Sequence, residues 1–151
     1  MYKFIVFNKI SMKKNNTEKT NKLIAKALSF KQNGDLINAE IILKDVLKLD
    51  SNNFIALNNI GNIYSAQNEI KKAKIFFSKA INIKHNNSNA IFNLALVNEE
   101  MGNKEEAIKF YKDAIKYDQD NLGIYYNLSR IDDGFFLDNN IKKIKEILKK
   151  K

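Results

Sequence analysis

Residues 54–87 read FIALNNIGNIYSAQNEIKKAKIFFSKAINIKHNN, and the fold turns on how this stretch is divided. Leu57, Ile60, Gly61 and Tyr64 recur at three- and four-residue steps in its first half, and Ala73, Phe77, Ala80 and Ile81 do so in its second. That spacing gathers small and apolar residues on one buried face of each of two helices. The pair is also copied. A shift of 34 residues forward puts Leu57 on Ile91, Ile60 on Leu94, Gly61 on Ala95, Ala73 on Ala107, Phe77 on Tyr111 and Ala80 on Ala114. The same shift backward puts Leu57 on Leu23, Gly61 on Ala27, Tyr64 on Phe30, Ala73 on Ala39 and Phe77 on Leu43. A fixed period of this length signals an array of helical hairpins, none of which buries its apolar surface without a stacked neighbour.

The punctuation keeps the same period. Gly34, Asn68 and Gly102 stand between the helices of each pair, where a left-handed residue ends one helix and glycine or asparagine is best tolerated. Between pairs stand Ser51-Asn52-Asn53, His85-Asn86-Asn87 and Gln119-Asp120-Asn121, which are turn and N-cap residues.

On these residues the chain resembles the tetratricopeptide repeat (TPR) family. Leu57, Ile60, Gly61 and Tyr64 match the large–large–small–large spacing of the family's first helix, and Ala73, Phe77 and Ala80 match its alanine–aromatic–alanine second helix. The resemblance implies an all-α fold, an α-solenoid winding as a right-handed superhelix of about three and a half helix-turn-helix repeats with a C-terminal capping helix. The expected repeats are residues 20–53, 54–87 and 88–121, with a partial repeat at 122–137 and the capping helix at 138–150. The family often places proline at the first position of the inter-repeat turns, and this chain contains none.

Composition bounds the rest. A chain of 151 residues with 44% hydrophobic content suits one domain, here residues 17–151, with a continuous core. It has no cysteine and no apolar run long enough for a transmembrane helix, and we expect a cytoplasmic protein. The net charge of +9 raises the question of nucleic acid. Lysines such as Lys71, Lys72, Lys104 and Lys112 alternate with acidic residues, however, and Arg130 is the sole arginine, so a phosphate-gripping patch is disfavoured.

At the N-terminus, MYKFIVFNKI is too short for a secretory leader, and residues 1–16 are expected to be disordered, with Thr17 capping a first helix over about Glu18 to Gln32. Lys26 falls where the repeat pattern calls for a large apolar residue, tolerable in a terminal repeat with one uncovered face. At the C-terminus, Asp133-Gly134 breaks the fourth first helix. Ile141, Ile144, Ile147 and Leu148 then define one face of the last helix.

No catalytic constellation, metal site or cofactor motif is visible. His85 is the only histidine and falls in a loop, and the pairs Glu99-Glu100 and Glu105-Glu106 diverge around their helices and read as solvated charges. The noteworthy set is Asn59, Asn93 and Asn127, one per period and two residues before the small positions Gly61, Ala95 and Ser129. The resemblance places this position in the concave groove formed by the first helices. An asparagine amide both donates and accepts, so a row of three can bond the main chain of an extended peptide. Asn58, Asn62, Asn89, Tyr126 and Arg130 are expected alongside. The function that follows is a protein–protein interaction module, or scaffold, holding a peptide or protein segment in its groove. Lysine–asparagine capture of a partner's terminal carboxylate is not expected, because Ile24 and Leu28 occupy the positions it uses in the first repeat. An alternative comes from Tyr125 to Lys150, which is similar to the repeat region of bacterial TPR–sulfotransferase fusion proteins. The chain would then be the non-catalytic part of a larger enzyme such as a sulfotransferase or glycosyltransferase.

Overall fold

A computed structural model describes residues 2–135 and 140–150, with side chains from Asn16 onward. The described residues form eight helices and no strand: α1 (Tyr2–Gln32), α2 (Leu36–Leu49), α3 (Phe54–Ala66), α4 (Ile70–Ile83), α5 (Ser88–Glu100), α6 (Lys104–Tyr117), α7 (Leu122–Ile131) and α8 (Asn140–Lys149). Consecutive helices pack as hairpins α1–α2, α3–α4 and α5–α6, and each hairpin stacks on the next through α2 on α3, α4 on α5 and α6 on α7. This is the all-α solenoid that the 34-residue period implies.

The hairpin turns are nearly identical. Gly34, Asn68 and Gly102 adopt φ values of +80°, +60° and +79°. At the first turn Gly34 N donates to Lys31 O at 3.1 Å and Asp35 N to Phe30 O at 2.9 Å, a Schellman closure that satisfies the last carbonyls of α1. The same pair of bonds recurs after α3, from Asn68 N to Ser65 O and Glu69 N to Tyr64 O, and after α5, from Gly102 N to Glu99 O and Asn103 N to Asn98 O. Between hairpins, Asn53, Asn87 and Asn121 are the N-caps of α3, α5 and α7. Their side chains accept from the backbone N–H of Ala56, Ala90 and Gly123.

Helix approach depends on the small positions. A Cβ at Gly61 would lie 2.6 Å from the Phe77 ring, so α3 and α4 meet there with no room for a methyl group. Ala27, Ala39, Ala73, Ala95 and Ala107 are fully buried, with Leu43, Phe77 and Tyr111 filling the space beside them. Two clusters make up most of the core, one around Leu43, Ile60 and Phe77, the other around Tyr111, Ile124 and Leu128.

The ends depart from expectation. Residues 1–16 were read as disordered, yet the backbone is helical from Tyr2, and Thr17 lies inside α1 rather than at its cap. Its carbonyl accepts from Thr20 Oγ1 at 2.8 Å. No glycine or proline interrupts Tyr2 to Gln32, and asparagine and threonine carry a penalty of well under about 1 kcal/mol inside a helix, so Asn15, Asn16 and Thr17 do not stop it. Lys26 is exposed, its ammonium 5.9 Å from the Phe30 ring centroid. At the other end Phe135, just past the break at Asp133-Gly134, is buried in the second cluster together with Ile147 of α8. Residues 136–139, which include the expected start of the capping helix, lie outside the described residues. Leu148, expected on the buried face of α8, is 56% exposed.

Candidate functional site

Three of the four first helices differ in chemistry from the second helices. Within α3, α5 and α7 the charged side chains are Glu99, Glu100 and Arg130 alone, and α3 has none. By contrast α4 carries Lys71, Lys72, Lys74 and Lys79. Among the first helices α1 is the exception, with Lys19, Lys22, Lys26 and Lys31, so the nearly uncharged, amide-rich part of the wall is that of α3, α5 and α7.

The three repeated asparagines are not equivalent. Asn59 is 8% exposed; its Nδ2 donates to Ile55 O at 2.9 Å, and its Oδ1 accepts from Lys31 Nζ of α1 at 2.8 Å. Asn127 repeats that posture, with Nδ2 donating to Gly123 O at 2.8 Å and Oδ1 accepting from Arg130 NH1 at 2.9 Å. Asn93 turns the other way. Its Nδ2 donates to Asn62 Oδ1 at 2.8 Å and to Asn58 Oδ1 at 3.4 Å, tying α5 to α3. No donor among the described residues reaches Asn93 Oδ1, and the Asn58 and Asn62 NH2 groups are equally without acceptors there.

The repeat explains the difference. Lys31, Ser65 and Glu99 share one position in successive repeats, the last but one residue of each first helix. Lys31 reaches Asn59 directly. Glu99 Oε1 binds Arg130 NH2 at 2.9 Å, and the same guanidinium donates to Asn127. At the middle rung the shared position holds Ser65, whose hydroxyl is short, and Asn93 bonds to the amides of α3 instead.

Glu99 is thus not the solvated charge expected from sequence. Its Oε2 also accepts from Tyr111 OH at 2.7 Å, so one carboxylate joins α5, α6 and α7. Burial, and then the Glu99 acceptor, push the Tyr111 phenol far above its ordinary range. Lys31 moves the opposite way: partial burial pulls its ammonium below the usual lysine value. No carboxylate among the described residues lies within ion-pair distance of Lys31, and its acceptor is the neutral amide of Asn59.

The predicted residues fall into three local groups. Asn58, Asn62 and Asn93 form a central amide cluster. Asn127, Arg130 and Tyr126 gather at α7, with the guanidinium 6.0 Å from the Tyr126 ring centroid and that ring 66% exposed. Asn59 sits with Lys31. Asn89 stands apart, lining a cleft at the helix starts with Asn58, Phe54, Ile55, Lys84 and Tyr117. Sequence reasoning missed Lys31 and Glu99, although the 34-residue period relates them. It missed Asn98 as well, which is fully buried, donates to Leu94 O and accepts from Lys74 Nζ at 2.8 Å.

His85 lies in a turn with Nδ1 3.1 Å from Ile81 O. Among the described residues no group of acidic or histidine side chains is placed to hold a metal ion, and no helix is long and apolar enough to cross a membrane. What this wall can do chemically is hydrogen-bond and pack.

Residues 55–87 and 88–121 each match the profile of the tetratricopeptide repeat. No curated protein matches the sequence. Among solved structures, MamA is similar with a TM-score of 0.72 at 23% identity, over 91% of this chain and 81% of its own. The first TPR domain of Spaghetti (RPAP3), bound to the HSP90 peptide SRMEEVD, gives a TM-score of 0.73 at 18% identity over 76% of this chain and 93% of its own. The O-GlcNAc transferase of Thermobaculum terrenum gives 0.72 at 19% identity over 75% of this chain, which spans 22% of that enzyme. At these identities the likeness is one of fold.

Proposed function

We propose that the chain, whose residues 55–87 and 88–121 match the tetratricopeptide repeat profile, is an interaction module that holds an extended protein segment against its first-helix wall. The observation that carries this reading is the central amide cluster. Asn93 Oδ1 offers an acceptor, and the Asn58 and Asn62 NH2 groups offer donors, on neighbouring helices. An extended main chain presents both kinds of group at each residue, and amides that donate and accept can meet it without regard to its side chains. The helices are preformed, so the partner bears most of the ordering cost. The outer asparagines fix Lys31 and Arg130 and shape the wall, leaving the middle rung to touch the partner. The peptide bound by the Spaghetti domain makes a peptide ligand reasonable for a fold of this kind.

A photo-crosslinking amino acid placed at Leu96, which shares its repeat position with Asn62 and Arg130, tests the surface. Partner adducts are expected from that site and not from Ile37, which is 70% exposed on α2. Adducts of equal yield from Ile37 would move the binding surface elsewhere. The likeness to the transferase favours a second reading, that the repeats are the non-catalytic part of a larger enzyme, through fold alone. A continuing reading frame encoding a sulfotransferase or glycosyltransferase domain would establish it.

A further inference from the structure

We propose that the N-terminal half of α1 docks on an anionic lipid bilayer, with Phe4–Phe7 entering one leaflet and Lys3, Lys9, Lys13 and Lys14 meeting its phosphates. This surface lies apart from the first-helix wall and does not depend on it. Helix α1 has 31 residues, against 14 in α2, the helix packed on it. Leu49, the last residue of α2, lines a cleft with Asn16, Thr17 and Thr20 of α1. The 34-residue period likewise sets Thr20 level with Phe54, where α3 begins. Residues 2–15 therefore run on past the ends of both neighbours, by about 20 Å at the rise of an α-helix. A lone helix of that length is marginal in water.

The sequence of this extension says what would cover it. Phe4, Ile5, Val6 and Phe7 are consecutive, and at about 100° per residue four in a row take up the whole circumference of a helix. One neighbouring helix covers one stripe, whereas a helix apolar all round suits surroundings that are apolar on every side. The run is far shorter than the roughly 20 residues needed to cross a bilayer, so it reaches into one leaflet only. Charge selects the same partner. Lys3 precedes the run, Lys9, Lys13 and Lys14 follow it, and no acidic residue occurs before Glu18. Basic residues beside an apolar stretch draw it to anionic headgroups, and the two signals together hold where one alone does not. A second copy of the chain fits less well. Its most exposed isoleucines are Ile37, Ile41 and Ile75, and α4, which carries Ile75, has four lysines and no carboxylate to receive four more.

The test is sedimentation of the full chain with vesicles of three parts phosphatidylcholine to one part phosphatidylglycerol, and with vesicles of phosphatidylcholine alone. The chain should pellet with the anionic vesicles and stay above the neutral ones. Phe4→Ser combined with Phe7→Ser should weaken binding at least about tenfold. Lys9→Gln, Lys13→Gln and Lys14→Gln together should weaken it on the order of a hundredfold. The same number of changes on α4, Lys71→Gln, Lys72→Gln and Lys79→Gln, should alter it by less than about twofold, since exposed charges held away from the bilayer are screened. The chain has no tryptophan, so a single indole reports insertion. Emission of Ile5→Trp should move to the blue with anionic vesicles, and that of Ile37→Trp should not. Absence of binding, equal binding to neutral vesicles, or binding unchanged in the phenylalanine pair overturns the proposal. Equal loss from the α4 lysines also overturns it, because that is adsorption of a basic protein. A phenylalanine-dependent assembly formed without lipid does so as well, by putting a second copy on the segment.

Discussion

Asn93 of α5 donates to Asn62 of α3 at 2.8 Å, and in doing so leaves its own carbonyl oxygen unmet among the described residues. Asn59 and Asn127, its counterparts one repeat away on either side, have theirs filled by Lys31 and Arg130. Equivalent positions in a repeat array thus take unequal roles, according to the donor that reaches each: Lys31 of α1 for Asn59, and Arg130 of the same helix for Asn127.

Gly61 faces the Phe77 ring at a separation that admits no Cβ. Gly61→Ala should cost roughly 1–3 kcal/mol through overpacking. Denaturant titration of Gly61→Ala, Phe77→Leu and the double variant checks this, because the smaller side chain should recover part of the loss. Strict additivity of the two costs would show that the methyl group is accommodated in another way.

Gly102 sits at φ +79° with open space where a side chain would go, so any cost of substitution is backbone strain. Gly102→Val should destabilise by about 1–2 kcal/mol and Gly102→Asn by less, because asparagine tolerates the left-handed region. Asn68 already holds the equivalent place at φ +60°. Equal melting temperatures for the two variants would contradict the strain argument.

How much of this was legible in the sequence follows from what each signal encodes. The turn residues Gly34, Asn68 and Gly102 report local backbone conformation, and the period located them without ambiguity. The pairing of Gly61 with Phe77 was legible too, since small and large residues alternate in phase on facing helices. The bonding of the asparagines was not. Periodicity puts Asn59, Asn93 and Asn127 on one wall, but the choice between bonding back to the i−4 carbonyl and reaching across to α3 is a matter of rotamer. For Asn59 and Asn93 that choice involves residues of another helix, Lys31 in one case and Asn58 and Asn62 in the other. The continuation of α1 through Asn15, Asn16 and Thr17 escaped for a different reason: Thr17 suits an N-cap by residue type, which places the helix start at Glu18.

Among the described residues three carboxylates are held below their ordinary range. Hydrogen bonds from the Asn38 side chain hold Asp35 below its ordinary 3.8, the Lys44 ammonium holds Glu40 below 4.5, and the Lys112 ammonium holds Asp132 below 3.8. As pH falls the unfolded chain takes up these protons first. The stabilisation is therefore complete above the ordinary values and is lost as pH falls through the lower folded ones, roughly between pH 5 and pH 2. Asp132→Asn should flatten the decline of stability over that range, measured by denaturant midpoints at successive pH values. An unchanged slope would show that Asp132 titrates alike in both states.

Asn98 is buried without exposure and accepts from Lys74 across the α4–α5 contact. A double-mutant cycle of Lys74→Met and Asn98→Leu should give a coupling of about 0.5–1.5 kcal/mol, the net worth of one such bond. A coupling near zero would place the Lys74 ammonium in solvent, leaving its neighbour Glu106 at 3.6 Å as its partner.

The most direct test is calorimetric titration of a peptide selected on the unaltered chain against Asn93→Ala and Asn59→Ala, with helicity checked for both. The account predicts that Asn93→Ala weakens binding by about 0.5–3 kcal/mol, the cost of a removed hydrogen-bonding group, and that Asn59→Ala, whose amide already bonds within the chain, weakens it less. Full affinity in Asn93→Ala, with the fold intact, would contradict the claim that the middle amides hold the partner.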